Sequence, residues 1–494
     1  MKKISLFGAV STGVGMLIAT SCFVSSASGS SAVGTPFVIA IVIACIANML
    51  AVLSIAELNA IMPNLTGGIA QYTLAGLGPL LTIVTMVGGY LISNVFAAPA
   101  EGAMFANVMT EMTGEAIPPA VFSVGITIVL IFINLKGVNM STLLQEIVAA
   151  FMVVSLLALG IIGALGLGSG EQVAQDAVIS SDLKDILPLT ATAFWFFIGA
   201  EFIVPLGKDM KSPKKVPLSM VLSLGIMGII QILLVFGFKN YTLWSDLGSA
   251  ASPHVLYAVN MLGKWGRYWM IIVAIFAAVS TQNSIICSVS EICCGMAKMN
   301  LLPSFFQKKN KNGAPYWVII ILGVLTCIIE ASGISTGEQV AFLTLTCSLF
   351  WMLSYITSHV NVIMLRRKMK NVPRNFKTPL FPLLQIVGIA LQVYMMFNIS
   401  TDPVQRRNIY ILCFVLFAAL FIYAFIWVKY RLKLPLLKGI GVHQVMMMES
   451  PEYHRVHSDL KNESNTNIKS NTIVKIKSES TDSASSFPVV YIIV

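Results

Sequence analysis

Charged residues are scarce in this sequence. Asp, Glu, Lys and Arg together make up 11% of its 494 residues, whereas a soluble domain carries about 25%. Hydrophobic residues make up 56% of the chain, and they gather into blocks of about twenty residues, the length needed to cross a bilayer core of about 30 Å. The composition excludes a soluble globular protein and predicts a polytopic all-α membrane protein embedded in the lipid bilayer.

Histidine and cysteine are also sparse. The five histidines are scattered, with no His-x-x-x-His pair, and no paired catalytic carboxylates accompany them. The eight cysteines fall within apolar blocks and lack metal-ligand spacing, which is typical of buried small hydrophobic residues. The sequence therefore predicts no enzyme, no metal site and no cofactor.

The formal net charge of +10 does not indicate a nucleic-acid partner. The Lys and Arg residues sit mostly in short loops between apolar blocks, as expected for loops kept on the cytoplasmic side of a membrane. With the N-terminus inside, most of the basic residues fall in inside loops; the exceptions, which are outnumbered, are Lys184, Lys239, Lys264, Arg267, Arg406 and Arg407. Both termini are therefore predicted to be cytoplasmic.

Apolar blocks and the residues that interrupt them predict twelve transmembrane spans. Spans one to six are expected at 6–32, 36–61, 79–107, 118–136, 142–167 and 188–207. Spans seven to twelve are expected at 215–238, 266–297, 315–333, 338–364, 380–398 and 408–429. Residues 1–430 then form the transmembrane domain. Residues 431–494 are rich in Ser, Asn, Thr and Lys and are predicted to be a disordered cytoplasmic tail.

The N-terminus also imitates a secretory signal peptide, with Lys2 and Lys3 before an apolar run and small residues at 25–29. Removal of this segment would reverse every loop and place the basic loops outside. A first transmembrane span is therefore the favoured interpretation.

Spans one and six contain residues that a plain lipid-facing helix would avoid. Small and hydroxyl residues crowd span one, and span six places Gly199 beside Glu201. Small residues can simply allow close helix packing, but their density also fits helices that unwind. Since these spans lead two sets of five, the spacing predicts an inverted repeat, over about 6–167 and 188–364, with two further helices at 380–429.

Four stretches of sequence resemble the amino acid–polyamine–organocation superfamily of permeases and antiporters, over most of residues 5–430. The stretches are Ala19-Thr20-Ser21-Cys22-Phe23; Ala56-Glu57-Leu58 with Pro63, Gly67-Gly68 and Tyr72; Phe197 to Glu201 with Lys211 to Pro217; and Met296-Ala297-Lys298 with Leu301-Leu302-Pro303. The resemblance implies the LeuT-like fold of that superfamily, with five-plus-five inverted repeats and broken helices in spans one and six. It also implies a mid-membrane site between spans one, three, six, eight and ten.

By this resemblance, a substrate carboxylate would bind backbone N–H groups around Thr20 and Ser21, next to Ala19 and Cys22. The free donors and partial positive charge of a helix N-terminus suit an anion. The family has glycines where this chain has Ala19 and Ser21, and the added Cβ atoms narrow the backbone approach. The departure implies a reshaped site, or a substrate without an ordinary α-carboxylate.

Further substrate contacts are expected from Trp195, Ile198 and Gly199 in span six. Trp195 falls where arginine–agmatine-type antiporters place an aromatic gate; its indole could stack on an organic cation or pack between helices. In span three, Ser93, Ala97 and the buried Glu101 are expected near the pocket. Glu101 could recognise a cationic side chain or pair with a backbone group.

Glu201 is the residue expected to couple transport to protons, because a mid-membrane carboxylate is costly and tends to be protonated, paired or functional. The alternative is a neutral acid that only bonds the unwound backbone. Ser280 and Thr281 in span eight resemble the hydroxyl pair of a related sodium site, although such hydroxyls more often bond their own helix. A lysine that replaces sodium in some relatives is absent, with Met152 at the matching position.

The sequence thus predicts a secondary active transporter of the cytoplasmic membrane for amino acids or related amines, working by symport or exchange, with proton coupling more expected than sodium. The alternative is a transporter-like sensor that binds an amino acid and signals through its cytoplasmic tail. The oligomeric state is not predicted.

Overall fold

The structure is a computed structural model that describes residues 4–62, 67–113, 116–175, 182–333, 339–369 and 376–448. These residues are helical almost throughout, and the only extended pairing among them is a single bridge between Ile4 and Met210. The all-α fold class is therefore confirmed.

Eighteen α-helices, labelled in chain order, make up the described residues together with short 3₁₀ and π segments. Helices α1 to α9 are Leu6–Leu17, Thr20–Val33, Phe37–Ile61, Ile69–Gly76, Pro79–Thr82, Ser93–Thr113, Pro119–Leu135, Val138–Ala164 and Leu183–Ile186. Helices α10 to α18 are Thr190–Phe194, Val216–Tyr241, Trp244–Ser249, Pro253–Lys298, Tyr316–Ala331, Val340–Lys368, Leu383–Phe397, Pro403–Ile426 and Val442–Met447.

Each of the twelve predicted spans coincides with helix, within a few residues at most ends. In the described part of the chain, eight helical segments are long and apolar enough to cross a membrane, or nine if α1 and α2 form one bent span. Three more apolar helices are shorter, namely α7, α14 and α16. The count of twelve spans and the internal repeat remain predictions.

The first predicted span is broken near its middle. Helix α1 ends at Leu17, Ile18 and Ala19 are extended, and α2 begins at Thr20. The two helices are bent by 59° at this point. The predicted break in span one is therefore confirmed.

The sixth predicted span is also broken. Helix α10 continues as a 3₁₀ turn over Trp195–Phe197, and a second 3₁₀ segment runs over Ala200–Asp209. Between them, Gly199 has φ +124° and ψ −9°, a conformation that strongly favours glycine. The chain can change direction here because Gly199 lacks a Cβ.

The third span is irregular where it approaches both breaks. A π-helical segment over Ile83–Ile92 leads into α6, which carries Pro99 in its interior. Proline has no N–H and removes one helical hydrogen bond. Asn94, Ala97 and Glu101 are spaced three and four residues apart, so they share one face of α6.

Two parts of the chain differ from the predicted boundaries. Span eight was expected from residue 266, but α13 begins at Pro253 and bends at Gly263, where φ is +60°. The predicted tail begins at 431, but its first residues pack on the helical domain: Leu80 N–H donates to Leu436 O, and Ile440 N–H to Leu74 O, both at 3.1 Å. Residues up to Met446 belong to one compact unit, and residues 449–494 lie outside the described part.

Candidate functional site

A small internal cavity of about 40 Å³ lies between the two breaks. It is lined from spans one, three, six, eight and ten, the five spans expected to form the site. None of the described residues that line it is charged. They are Met16, Leu17, Ala19, Asn94, Ala97, Trp195, Ile198, Gly199, Phe202, Thr281, Ser284, Ile285, Cys347 and Trp351.

The residue just before α2 cannot cap this helix with its own side chain. The N-cap residue is Ala19, and its side chain has no hydrogen-bond acceptor. Glu101 of α6 supplies the acceptors instead: Thr20 N–H donates to Oε2 at 2.8 Å and Ser21 N–H to Oε1 at 3.1 Å. Both Glu101 and Ser21 are fully buried. The two donors expected to bind a substrate carboxylate are therefore occupied by a carboxylate of the protein.

Ser21 and Trp195 extend this arrangement from the cap to the cavity. The indole Nε1–H of Trp195 donates to Ser21 Oγ at 2.8 Å. The Ser21 hydroxyl in turn donates a hydrogen bond to Glu101 Oε1. A glycine at position 21 would lose both interactions, so Ser21 and Glu101 form one structural unit.

The other predicted residues near the first break are held by backbone groups. Thr20 Oγ1 donates to Ala274 O at 2.8 Å, which joins α2 to α13. The Cys22 thiol lies 3.6 Å from Leu17 O. Ser93 is buried and donates to Gly89 O within its own span. Thr20, Ser21, Cys22, Ser93 and Glu101 therefore lie behind the cavity wall rather than on it.

Glu201 lies at the second break, 2% exposed. Its Oε2 accepts a hydrogen bond from the Tyr355 hydroxyl at 2.6 Å and from Gly199 N–H at 3.2 Å. Its Oε1 has no partner among the described residues. Glu201 thus connects the unwound backbone of span six to α15 and retains one buried oxygen free to bind a proton.

Thr281 and Ser280 lie next to each other on α13, and Thr281 contacts the first break. The Thr281 hydroxyl donates to Ile18 O at 2.9 Å, and Thr281 lines the cavity. Ser280 Oγ is buried without a partner in the described part of the chain. One hydroxyl therefore bonds a carbonyl of the break directly. Sodium binding by this pair stays a prediction.

Sequence reasoning missed the aromatic side of the cavity. Trp351 and Phe202 line it, and Tyr90 lies behind them with its ring centroid 5.1 Å from that of Trp351. Trp351 and Tyr355 are four residues apart on α15, where they read as ordinary apolar positions. Only the packing of α15 against the second break reveals their place.

Glu330 belongs to a separate buried network. The Thr127 hydroxyl lies 2.9 and 3.0 Å from its two oxygens, and Gln282 Nε2 donates to Glu330 Oε1 at 3.1 Å. The network joins α7, α13 and α14. None of its three residues is among those that line the cavity.

The sequence matches a known protein family and several known transporters. Residues 4–427 match the family described as "Amino acid permease". Amino-acid permease RocE of Bacillus subtilis is 24% identical over 52% of this chain and 59% of its own length, less than two thirds. The methylthioribose transporter of the same organism is 20% identical over 81% of this chain and 88% of its own length.

An arginine/agmatine antiporter of Chlamydia pneumoniae is 25% identical over 69% of this chain and 73% of its own length. Among solved structures, a manganese transporter of Eremococcus coleocola matches with a TM-score of 0.55 and 14% identity, covering 86% of this chain and 94% of that one. At this identity, the structural match shows a shared fold alone.

Proposed function

Because the chain belongs to the amino acid permease family, whose members are transporters rather than enzymes, we propose that it is a secondary active transporter of amino acids or related amines. It would work by alternating access, as a symporter or an exchanger, in the cytoplasmic membrane with both termini inside. The observation that carries the proposal is the cavity that lies between two helix breaks.

The breaks supply what a transport site needs. An unwound backbone in a membrane is tolerated where it lines a cavity, and its freed polar groups can bind a ligand. Ala19 of the first break and Gly199 of the second line the same cavity. A ligand seated there would contact both halves of the fold, which must move relative to each other in alternating access.

Most of the relatives' names support a small nitrogenous substrate, since they include amino acid permeases and an arginine/agmatine antiporter. The methylthioribose transporter differs, because the sugar in its name contains no nitrogen. All of these names describe transport, so the comparisons do not favour the alternative of a sensor. The test is uptake of labelled amino acids and amines into proteoliposomes containing the full chain, with and without an inward pH gradient.

Glu201 is the proposed coupling group. Its free Oε1 can take a proton, while Oε2 links Gly199 to Tyr355. Protonation would change the charge beside the second break and so bias the position of the unwound backbone. Sodium, through Ser280 and Thr281, is the less favoured coupling ion.

Replacing Glu201 with Gln tests this role. We expect Glu201→Gln to abolish the dependence of uptake on the pH gradient, because an amide cannot exchange a proton, while exchange between equal substrate concentrations persists. Glu291→Gln is the control, since Glu291 is partly exposed and pairs with Lys309 away from the cavity. A Glu201→Gln variant whose uptake still follows the gradient as in the native chain would exclude the coupling role.

A further inference from the structure

The two helix ends at the break in span one, the end of α1 and the start of α2, differ in how their backbone hydrogen bonds are satisfied. At the start of α2, Glu101 accepts hydrogen bonds from Thr20 N–H, Ser21 N–H and the Ser21 hydroxyl. A helix N-terminus with free N–H groups attracts anions. Here a carboxylate of the protein, fully buried, already fills that position.

At the end of α1, by contrast, carbonyl groups lose their usual helical N–H donors. Ala19 N–H donates to Leu17 O and Thr20 N–H to Glu101. These two amides would otherwise close the helical bonds to the carbonyls of Gly15 and Met16. Met16 and Leu17 line the cavity. A helix C-terminus carries partial negative charge and favours a cation.

The remaining walls also suit a cation. Trp195, Phe202 and Trp351 contribute aromatic rings, and an organic cation over an aromatic face gains about 0.5–2 kcal/mol. No described lining residue is Lys or Arg, so no positive charge on this part of the wall would pair with a substrate carboxylate. Glu201 lies beside the lining residue Gly199 and accepts its N–H.

From this asymmetry we propose that the cavity binds an amine without an α-carboxylate, and that Glu101 occupies the place an amino acid carboxylate would take. The proposal rests on the assignment of this cavity as the transport site. It also explains the serine at position 21, where the family resemblance implies glycine: the Ser21 hydroxyl donates a further hydrogen bond to Glu101. The amine head would lie at the end of α1, with its carbon chain against the aromatic rings.

Matched pairs of amino acids and their decarboxylated amines test the proposal by titration calorimetry of the full chain purified in detergent. Suitable pairs are lysine with cadaverine, leucine with 3-methylbutylamine, and phenylalanine with phenethylamine. We expect the amine that binds most tightly to bind at least ten-fold more tightly than its own amino acid. If that amino acid binds as tightly as the amine, or if none of the three amines binds, the proposal is overturned.

Replacing Glu101 with Ala should free the N-terminus of α2. We expect the favoured pair's amino acid to bind at least ten-fold more tightly to Glu101→Ala than to the native chain, because its carboxylate can replace the missing one. Glu291→Gln should leave both affinities unchanged. If Glu101→Ala does not fold, the comparison of amines and amino acids on the native chain still decides.

Uptake measurements separate this proposal from the proposed function. Tight amine binding in detergent without flux of that amine into proteoliposomes would refute transport and leave the ligand class standing. Flux of amino acids with no flux of amines would refute the ligand class and leave transport standing.

Discussion

Both chain breaks interrupt a helix and satisfy freed backbone amides with a carboxylate, but they do so in different ways. At the first break, Ile18 and Ala19 have φ values of −78° and −105°, which any residue can adopt, and the freed amides are satisfied by Glu101 on another helix. At the second, Gly199 has φ +124°, and the freed amide of Gly199 bonds to Glu201 two residues away.

The difference separates a long-range solution from a local one. The first break depends on a carboxylate about 80 positions away in the sequence, and it uses both oxygens of that group. The second break depends on the glycine at position 199. The carboxylate beside it, that of Glu201, keeps Oε1 unpaired among the described residues. A carboxylate with all its acceptors engaged suits a structural cap, whereas one with a free oxygen suits proton exchange.

The strongest test of this comparison replaces each acid with its amide. In Glu101→Gln, the new NH₂ group must face a donor of Thr20 or Ser21, leaving a buried N–H without an acceptor. We expect a loss of about 2 kcal/mol in the free energy of unfolding. In Glu201→Gln, the NH₂ group can replace the unpaired Oε1 without breaking a hydrogen bond, so we expect a smaller loss of about 1 kcal/mol from its own unpaired N–H groups.

Thermal unfolding of both variants in the same detergent measures the difference. Equal shifts in melting temperature would contradict the distinction between a structural cap and an exchangeable group.

A smaller effect is expected at the glycine of the second break. Gly199→Ala places a Cβ at φ +124°, and that atom would lie 3.4 Å from Met16 O. We expect a loss of about 1–2 kcal/mol in the free energy of unfolding, the usual cost of a strained backbone conformation. Gly225→Ala is the matched control, because a Cβ there meets no other atom within 4 Å. A melting temperature unchanged by Gly199→Ala would show that the second break does not need glycine.

The smallest effect is expected from Trp195→Phe. Phenylalanine keeps the aromatic wall of the cavity but removes the N–H that donates to Ser21 Oγ. We expect a loss of about 1 kcal/mol in the free energy of unfolding. Trp265→Phe serves as control, because Trp265 is 72% exposed. If both variants unfold at the same temperature, the indole does not stabilise the cap on α2.

Much of the fold follows from the sequence because it depends on hydrophobic length. The spans from 36 to 61 and from 215 to 238 coincide with α3 and α11 within a few residues. The break at Gly199 could also be predicted from a local signal, namely a glycine close to a carboxylate in an apolar segment.

The candidate site was harder to predict, because its chemistry depends on distant pairs. Glu101 was recognised as a buried acid that could pair with backbone, but nothing in the sequence connects it to Thr20 and Ser21. Trp351 and Tyr355 also carry no local signal of their place beside the second break. The cap at Ala19 is hidden in the same way, since an alanine there predicts no helix start.

The bridge near Met210 has a consequence for mutational studies. Lys211 N–H donates to Ile4 O at 2.9 Å, so the chain just before α1 is joined to the end of the 3₁₀ segment Ala200–Asp209. Because both partners are main-chain atoms, an alanine scan leaves this connection intact and would score its positions as dispensable. Side-chain substitutions therefore do not test this hydrogen bond. A backbone change that removes the N–H of residue 211, such as an ester or a proline, would test whether the two broken spans move together.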